Sequence, residues 1–436
     1  MTPRHNDDDE WLTFDVYFAK LPALTYLAKS KESPRLSHQP WCNASLVKDL
    51  FMQSRAYHFS LLTVATTTLV LFASPVWAQL KLGFNAPLTG LAAADGKSAL
   101  EGAKLAVEQA NAKGGVAGQK IELVVYDDQA SPKEAVPSAT KMVENDQVVV
   151  AVSGSYSAST RAAAPIFQRA QVPYVVAYAI DPDITLTGDY MFRVSAMGEV
   201  QGRGGAQLVK NLGKKKVVLV TLKNDFGRAL AAGFKDAAPK LGINIVTEYE
   251  YEMSDRQFDS LVRKIKSDNP EVIYATGYFF TAGPLVSQLR AAGVTAPIIG
   301  QVGYDSDKFI EIAGPASEGT YVMTSLDRDS DAPATKAFLA DYRKATSANA
   351  DLVAAASFTA TAVAIEGLKK TDGKGGSALR DALATGNYDM PIGKLSFNDL
   401  HEVKKDIQVQ IVKNKAFRHH SVISDPILLA PPSKTK

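Results

Sequence analysis

From Leu80 onward, short runs rich in Val, Ile and Leu alternate with amphipathic stretches of helical length, and few folds accept such a pattern. Strands covered on both faces read as continuous apolar runs, and the covering helices supply the intervening segments, so the alternation predicts an α/β fold with parallel sheets. Candidate strands are residues 80–84, 121–127, 148–152, 174–177, 216–222, 243–250, 272–276 and 297–300. Candidate helices are 98–111, 133–144, 198–212, 229–241, 258–267 and 282–292, with glycines at their ends (Gly114, Gly115, Gly213, Gly242, Gly293), where a left-handed cap favours glycine. So many units exceed one doubly wound sheet. The pattern changes near residues 195–202 and again near 326–331, which we read as crossovers between two lobes. The second, LDRDSDAPAT, is acidic and aperiodic, and the helix-rich stretch 335–368 that follows has no strand partner nearby, so it is expected to pack on the first lobe.

Residues 52–78, MQSRAYHFSLLTVATTTLVLFASPVWA, have the form of a secretory signal peptide. Arg55 and His58 open it, residues 59–72 are its apolar centre, and Val76, Trp77 and Ala78 form a small-residue cleavage site after Pro75. The apolar run is shorter than the roughly 20 residues that span a bilayer. Cleavage after Ala78 would leave Gln79 first and place the protein in the periplasm. Met52 then reads as the true start, and residues 1–51 as a misassigned or non-native leader. That leader holds the only cysteine, Cys42, so the chain after Ala78 has no disulfide, thiolate metal site or cysteine nucleophile.

A formal net charge of +2 with 22% charged residues gives no basic surface for nucleic acid, and Lys214 to Lys216 read as a solvated strand entry. Catalytic constellations are thin. After Ala78 the only histidines are His401, His419 and His420, and no Walker loop, H-E-x-x-H or G-x-S-x-G occurs. Gly83, Gly90 and Gly96 are too widely spaced for a dinucleotide fingerprint. Asp127 and Asp128 read as a turn, because adjacent residues at a strand end point in opposite directions. No enzyme activity, cofactor or metal is called for.

Polar loops after strands are where α/β sheets bind small molecules. In VVVAVSGSYSASTRAAAPIF a strand ends at Val152 and a helix is expected to open at about Ser159, with Ser157, Ser159 and Thr160 as candidate caps. Free N–H groups at that helix start would attract a carboxylate, with Tyr156 and Ser157 in ligand contact. Aromatics recur in the other loops at Tyr178, Phe226, Tyr278, Phe279 and Tyr304, which suggests a binding cleft.

With these loops in place the chain from about residue 80 to 412 resembles the type I periplasmic solute-binding proteins of branched-chain amino acid ABC transporters. The likeness rests on LGFNAPLTG, GAKLAVEQANAKGGVAGQKIELVVYDDQASPKEAV, SGSYSAST, NDFGRALAAGF, VIYATGY and FIEIAGPASEGTYV in that order. It implies two doubly wound lobes joined by a three-strand hinge, divided as 79–198 and 327–404 for the first lobe and 199–326 and 405–436 for the second. It also implies a monomer that delivers a small solute to a membrane permease. Ser157, Phe226 and Tyr278 fit the family's ligand positions, whereas Ile180 stands for a carboxylate-binding threonine, Val302 for the ammonium-binding glutamate and Asp95 for a mouth tyrosine. The family's disulfide positions hold Ala130 and Tyr156. Asp95, Asp181 or Asp305 replaces the lost acid, or the ligand is a carboxylate with an apolar or aromatic body and no ammonium. A ligand-sensing regulator or receptor domain on the same fold is the alternative from another functional class.

Overall fold

The computed structural model describes residues 79–434, so the leader, Cys42 and the signal peptide lie outside the described residues. The first sheet is wholly parallel, in the order β2-β1-β3-β4-β5. Its strands are β1 (Leu80–Ala86), β2 (Ile121–Asp127), β3 (Val150–Ser153), β4 (Tyr174–Val176) and β5 (Met191–Arg193). The connecting helices are α1 (Ala93–Ala112), α2 (Pro132–Glu144), α3 (Ser157–Ala170) and the short α4 (Asp183–Leu186). β3 and β4 are buried at every position, as the unbroken apolar runs required.

The second sheet runs β14-β13-β10-β9-β8-β6-β7. Five of its strands are parallel: β6 (Lys216–Leu222), β7 (Asn244–Tyr251), β8 (Val272–Ala275), β9 (Ile298–Gly300) and β10 (Tyr321–Thr324). β13 (Ile407–Lys413) then pairs antiparallel with β10 and forms a hairpin with β14 (Ala416–Ile423). Helices α5 (Gly198–Asn211), α6 (Asp225–Ala237), α7 (Asp259–Asp268), α8 (Phe279–Ala291) and α9 (Asp307–Ala313) complete this lobe. α6 starts four residues ahead of the sequence expectation because Asn224 accepts a hydrogen bond from the Gly227 N–H and caps it there.

After β10 the chain forms α10 (Pro333–Thr346), α11 (Leu352–Lys370), α12 (Gly376–Ala384) and the hairpin β11 (Asn387–Met390) with β12 (Gly393–Ser396). α11 packs along α1 on the first lobe, as expected for the stretch without a strand partner. The two backbones touch at Gly102, where a Cβ would lie 2.2 Å from the Ala354 carbonyl oxygen. α11 is apolar on nearly every side, with 78% of its most apolar window buried, as befits a core helix.

Three segments thus pass between the sheets, after β5, after β10 and after β12. The first and third are tied together at one end by Arg193 and Glu402, both buried, whose guanidinium and carboxylate meet at 3.0 Å. One apolar cluster runs through both lobes by way of Tyr156, Tyr178, Phe226 and Tyr278.

Candidate functional site

The strand ends of both sheets lead into loops that face one another, and the first of these loops is shaped by its glycine. A Cβ at Gly154 would stand 2.3 Å from the Phe84 ring, so only glycine lets the chain turn tightly off β3. The next residues are anchored by the acid pair after β2. Asp127 turns outward to accept from the Leu88 N–H and the Thr89 hydroxyl, while Asp128 turns inward to Asn85 and Ser155. That division matches the turn expected of adjacent acids.

Tyr156 follows in extended conformation and opens α3. Its ring lies flat on Tyr278 of the second lobe, with centroids 4.0 Å apart and planes within 4°, and edge-on to Tyr178 at 6.3 Å. Phe226, in the first turn of α6, stacks on the other face of Tyr278 at 4.7 Å. The Tyr178 hydroxyl donates to the Gly154 carbonyl (2.6 Å), and the Tyr156 hydroxyl donates to Asp95 Oδ2 (2.8 Å). Together these side chains wall a cavity of about 20 Å³ between the lobes, completed by Ser157, Ala179, Val302, Gly303, Leu352 and Val353.

Seven of the residues singled out in the sequence meet at this cavity: Asp95, Tyr156, Ser157, Tyr178, Phe226, Tyr278 and Val302. Ile180 and Asp181 do not. Ile180 is fully buried toward Gly198, and its N–H donates to the Ser157 hydroxyl oxygen at 3.1 Å. Asp181 turns away to Arg161 at 3.2 Å, and Asp305 is held by Arg328 and the Thr324 hydroxyl. Both aspartates therefore already have a cation.

The hydroxyls near α3 also depart from expectation. The helix opens at Ser157, two residues early, and no side chain caps it. Thr160 pairs with the Ser153 hydroxyl, and Ser159 Oγ is buried without a partner. The first-turn N–H groups consequently lack a side-chain acceptor, and the positive end of the helix points toward the Tyr156 loop.

Asp95 lies in the first turn of α1 at 3% exposure, and its Oδ1 has no hydrogen-bond partner. Burial pushes its carboxyl up to about 8, with Asp351 and Asp305 adding to the effect and the Tyr156 hydroxyl opposing it. Asp351 caps α11 through the Ala354 N–H and receives the Ser98 hydroxyl, and burial pushes it up to about 6. Burial likewise holds the phenols of Tyr156 and Tyr178 well above their ordinary range.

Ala179, Gly303, Leu352 and Val353 were not foreseen. Leu352 and Val353 follow Asp351, and an acid directly before an apolar helical run is a readable N-cap signal. Among the described residues no group of three or more His, Cys, Asp or Glu could hold a metal. One carboxyl, several hydroxyls and stacked aromatic faces equip this cavity to bind a small solute.

The periplasmic binding protein model matches residues 79–416. The chain belongs to the periplasmic binding protein family. It is 32% identical to the Leu/Ile/Val-binding protein BraC3 of Rhizobium johnstonii over 78% of this chain and 92% of that one. It is 29% identical to the leucine-, isoleucine-, valine-, threonine- and alanine-binding protein of Pseudomonas aeruginosa, over 74% of this chain and 87% of that protein. Among solved structures, the branched-chain amino acid transporter substrate-binding protein LivJ of Streptococcus pneumoniae, in complex with isoleucine, superposes with a TM-score of 0.76 at 27% identity. The match covers 80% of this chain and all of that one. This periplasmic binding protein has the type I fold of its relatives and is an extracytoplasmic substrate-binding component of an ABC importer.

Proposed function

We propose that this protein captures a small amino-acid-like or organic-acid solute in the Tyr156–Tyr278 cavity and passes it unchanged to a membrane permease. The observation that carries the reading is the stack of one tyrosine from each lobe beside the uncapped start of α3. A carboxylate placed there would gain the first-turn N–H groups, the helix dipole and the Ser157 hydroxyl, while the aromatic faces take the apolar body. At about 20 Å³ the cavity has room for little more than one water, so Tyr156 and Tyr278 must part to admit a solute. Lobe closure over the solute then restores contacts between the two walls. Relatives named for leucine, isoleucine and valine support a small amino-acid-like ligand.

The remaining expectations belong to the same proposal. Residues 52–78 direct export, the protein works as a monomer without nucleic acid, and the lobes divide at 79–198, 199–326, 327–404 and 405–436. Ser157→Ala tests the site. It removes a hydrogen bond to a charged group, worth roughly 1.5 to 3 kcal/mol, so calorimetry should show affinity lower by about tenfold or more. Unchanged affinity for a solute recovered with the purified protein would place the carboxylate elsewhere.

A further inference from the structure

The second lobe brings only uncharged residues to the cavity, Val302 among them, yet the cavity contains a carboxyl. Asp95 lines it from the first lobe, is nine-tenths buried or better, and keeps one oxygen without any partner. Every charged or titratable group around it is accounted for. Tyr156 donates to its other oxygen, and Tyr178 and Tyr278 present aromatic rings. Asp351 and Asp305 lie close enough to disfavour a further negative charge, and the one cation of this cluster, Arg328, is committed to Asp305. Lys97, on the same helix, is exposed.

We infer that Asp95 is the residue that selects the solute, requiring a cationic nitrogen beside its carboxylate, and that it gives up a proton when the solute binds. Even with Asp95 protonated, Asp351 and Asp305 against one arginine leave the site negative, which disfavours a plain organic acid there and attracts an ammonium. The first-lobe rings of Tyr156 and Tyr178 beside it favour the same charge. An ammonium in van der Waals contact with Asp95 would supply the partner that the free oxygen lacks. Because burial holds the empty carboxyl near 8, it is mostly protonated at neutral pH and must ionise to form the pair. Below that value each unit of pH raises the ionised fraction about tenfold, so affinity should climb with pH and level off above about 8.

This inference rests on the proposed carboxylate-binding cleft, and matched probes separate the two. Calorimetry of the full chain would compare phenylalanine with 3-phenylpropanoate and leucine with 4-methylpentanoate, each at pH 6, 7 and 8 in phosphate and in a second, zwitterionic buffer of larger ionisation enthalpy. The expected result is at least about tenfold tighter binding of the amine-bearing member of the pair that binds. Its affinity should rise with pH, and the dependence of heat on buffer should report close to one proton released at pH 6 and 7 and about half a proton at pH 8. Asp95→Asn should abolish the pH dependence and the proton release while the amine-free acid binds as well as before or better. If the amine-free acids bind as tightly, or no proton is released, the role given to Asp95 is wrong although the carboxylate cleft survives. If none of the four binds, the cleft reading falls and the Asp95 inference falls with it.

Discussion

Arg193 and Glu402 offer a severe test of how the crossing segments hold the site. Arg193 ends β5 with no exposed surface, and Glu402, 1% exposed, sits in the last crossing segment. Nε donates to both carboxylate oxygens at 3.0 and 3.1 Å, Nη1 to the Ala179 carbonyl and Nη2 to the Asp181 carbonyl, each at 2.7 Å. The Thr185 hydroxyl completes the carboxylate's partners. Arg193→Met would leave Glu402 as an uncompensated buried charge and strip two carbonyls of their donors, a loss of about 3 to 5 kcal/mol. Arg193→Met with Glu402→Leu removes both charges, and should recover most of that loss, giving a coupling on the order of 2 kcal/mol or more. Urea unfolding of the protein measures these and the single variant Glu402→Leu, with the slope checked for constancy. The single variant should also bind solute more weakly, because Ala179 lines the cavity and its carbonyl is held by this arginine. A single variant losing less than about 1 kcal/mol, or a double variant losing the sum of the two singles, would refute the assignment of a tightly coupled buried pair.

Lys405 is buried, donates to the Ile392 carbonyl and has no ion pair among the described residues, and burial pulls its ammonium down to about 7. Its folded pKa lies below the unfolded one, so the unfolded chain binds the extra proton between about pH 7 and 10.5 and stability rises with pH across that window. Lys405→Met should flatten the rise and stabilise on the order of 2 kcal/mol at pH 7, read from melting at several pH values; an unchanged slope would contradict it. Arg161 of α3 reaches across to Asp225 at the start of α6 at 2.6 Å, but its side chain is 45% exposed. Such a latch is worth about 0.2 to 1 kcal/mol, so Asp225→Asn should speed solute release less than about fivefold, and 0.5 M salt should erase the difference. A larger, salt-independent change in stopped-flow release would mean that Asp225 touches the solute.

All eight candidate strands correspond to strands of the two sheets, and six of them are buried along nearly their whole length, where the apolar run is continuous. β2 and β7 are half-exposed edge strands, and the four-residue β10 was missed although mostly buried. β13 and β14 escaped notice because an antiparallel ribbon with one wet side alternates: in IQVQIVK the buried and partly exposed positions interleave, and the segment reads as a tail. β5 escaped because three residues are too few to show a period. In the site, the aromatic loop residues could be found because aromatics beside glycine at strand ends are unusual. Ile180 and Asp181 were misplaced for a geometric reason. The chain after β4 turns at Ala179, so Tyr178 and Ala179 face the cavity while the next two residues point toward Gly198 and Arg161. Leu352 and Val353 were missed since only the packing of α11 on α1 brings them within reach.

The position of the acid has a consequence for how closure works. With a carboxylate site at the start of α3 and Asp95 on α1, both charged ends of an amino-acid-like solute would be held by the first lobe. Around the cavity the second lobe then contributes Phe226, Tyr278, Val302 and Gly303, none of them charged. Its closure adds ring stacking and dispersion, which are sensitive to the shape of the solute's body and insensitive to its charge. That wall is itself tightly packed, for a Cβ at Gly303 would stand 2.2 Å from the Gly277 carbonyl oxygen of the same lobe. Recognition of charge would precede closure, and discrimination among side chains would accompany it. Ionic strength should accordingly alter the rate of capture, whereas substitutions at Phe226 or Tyr278 should alter the rate of release.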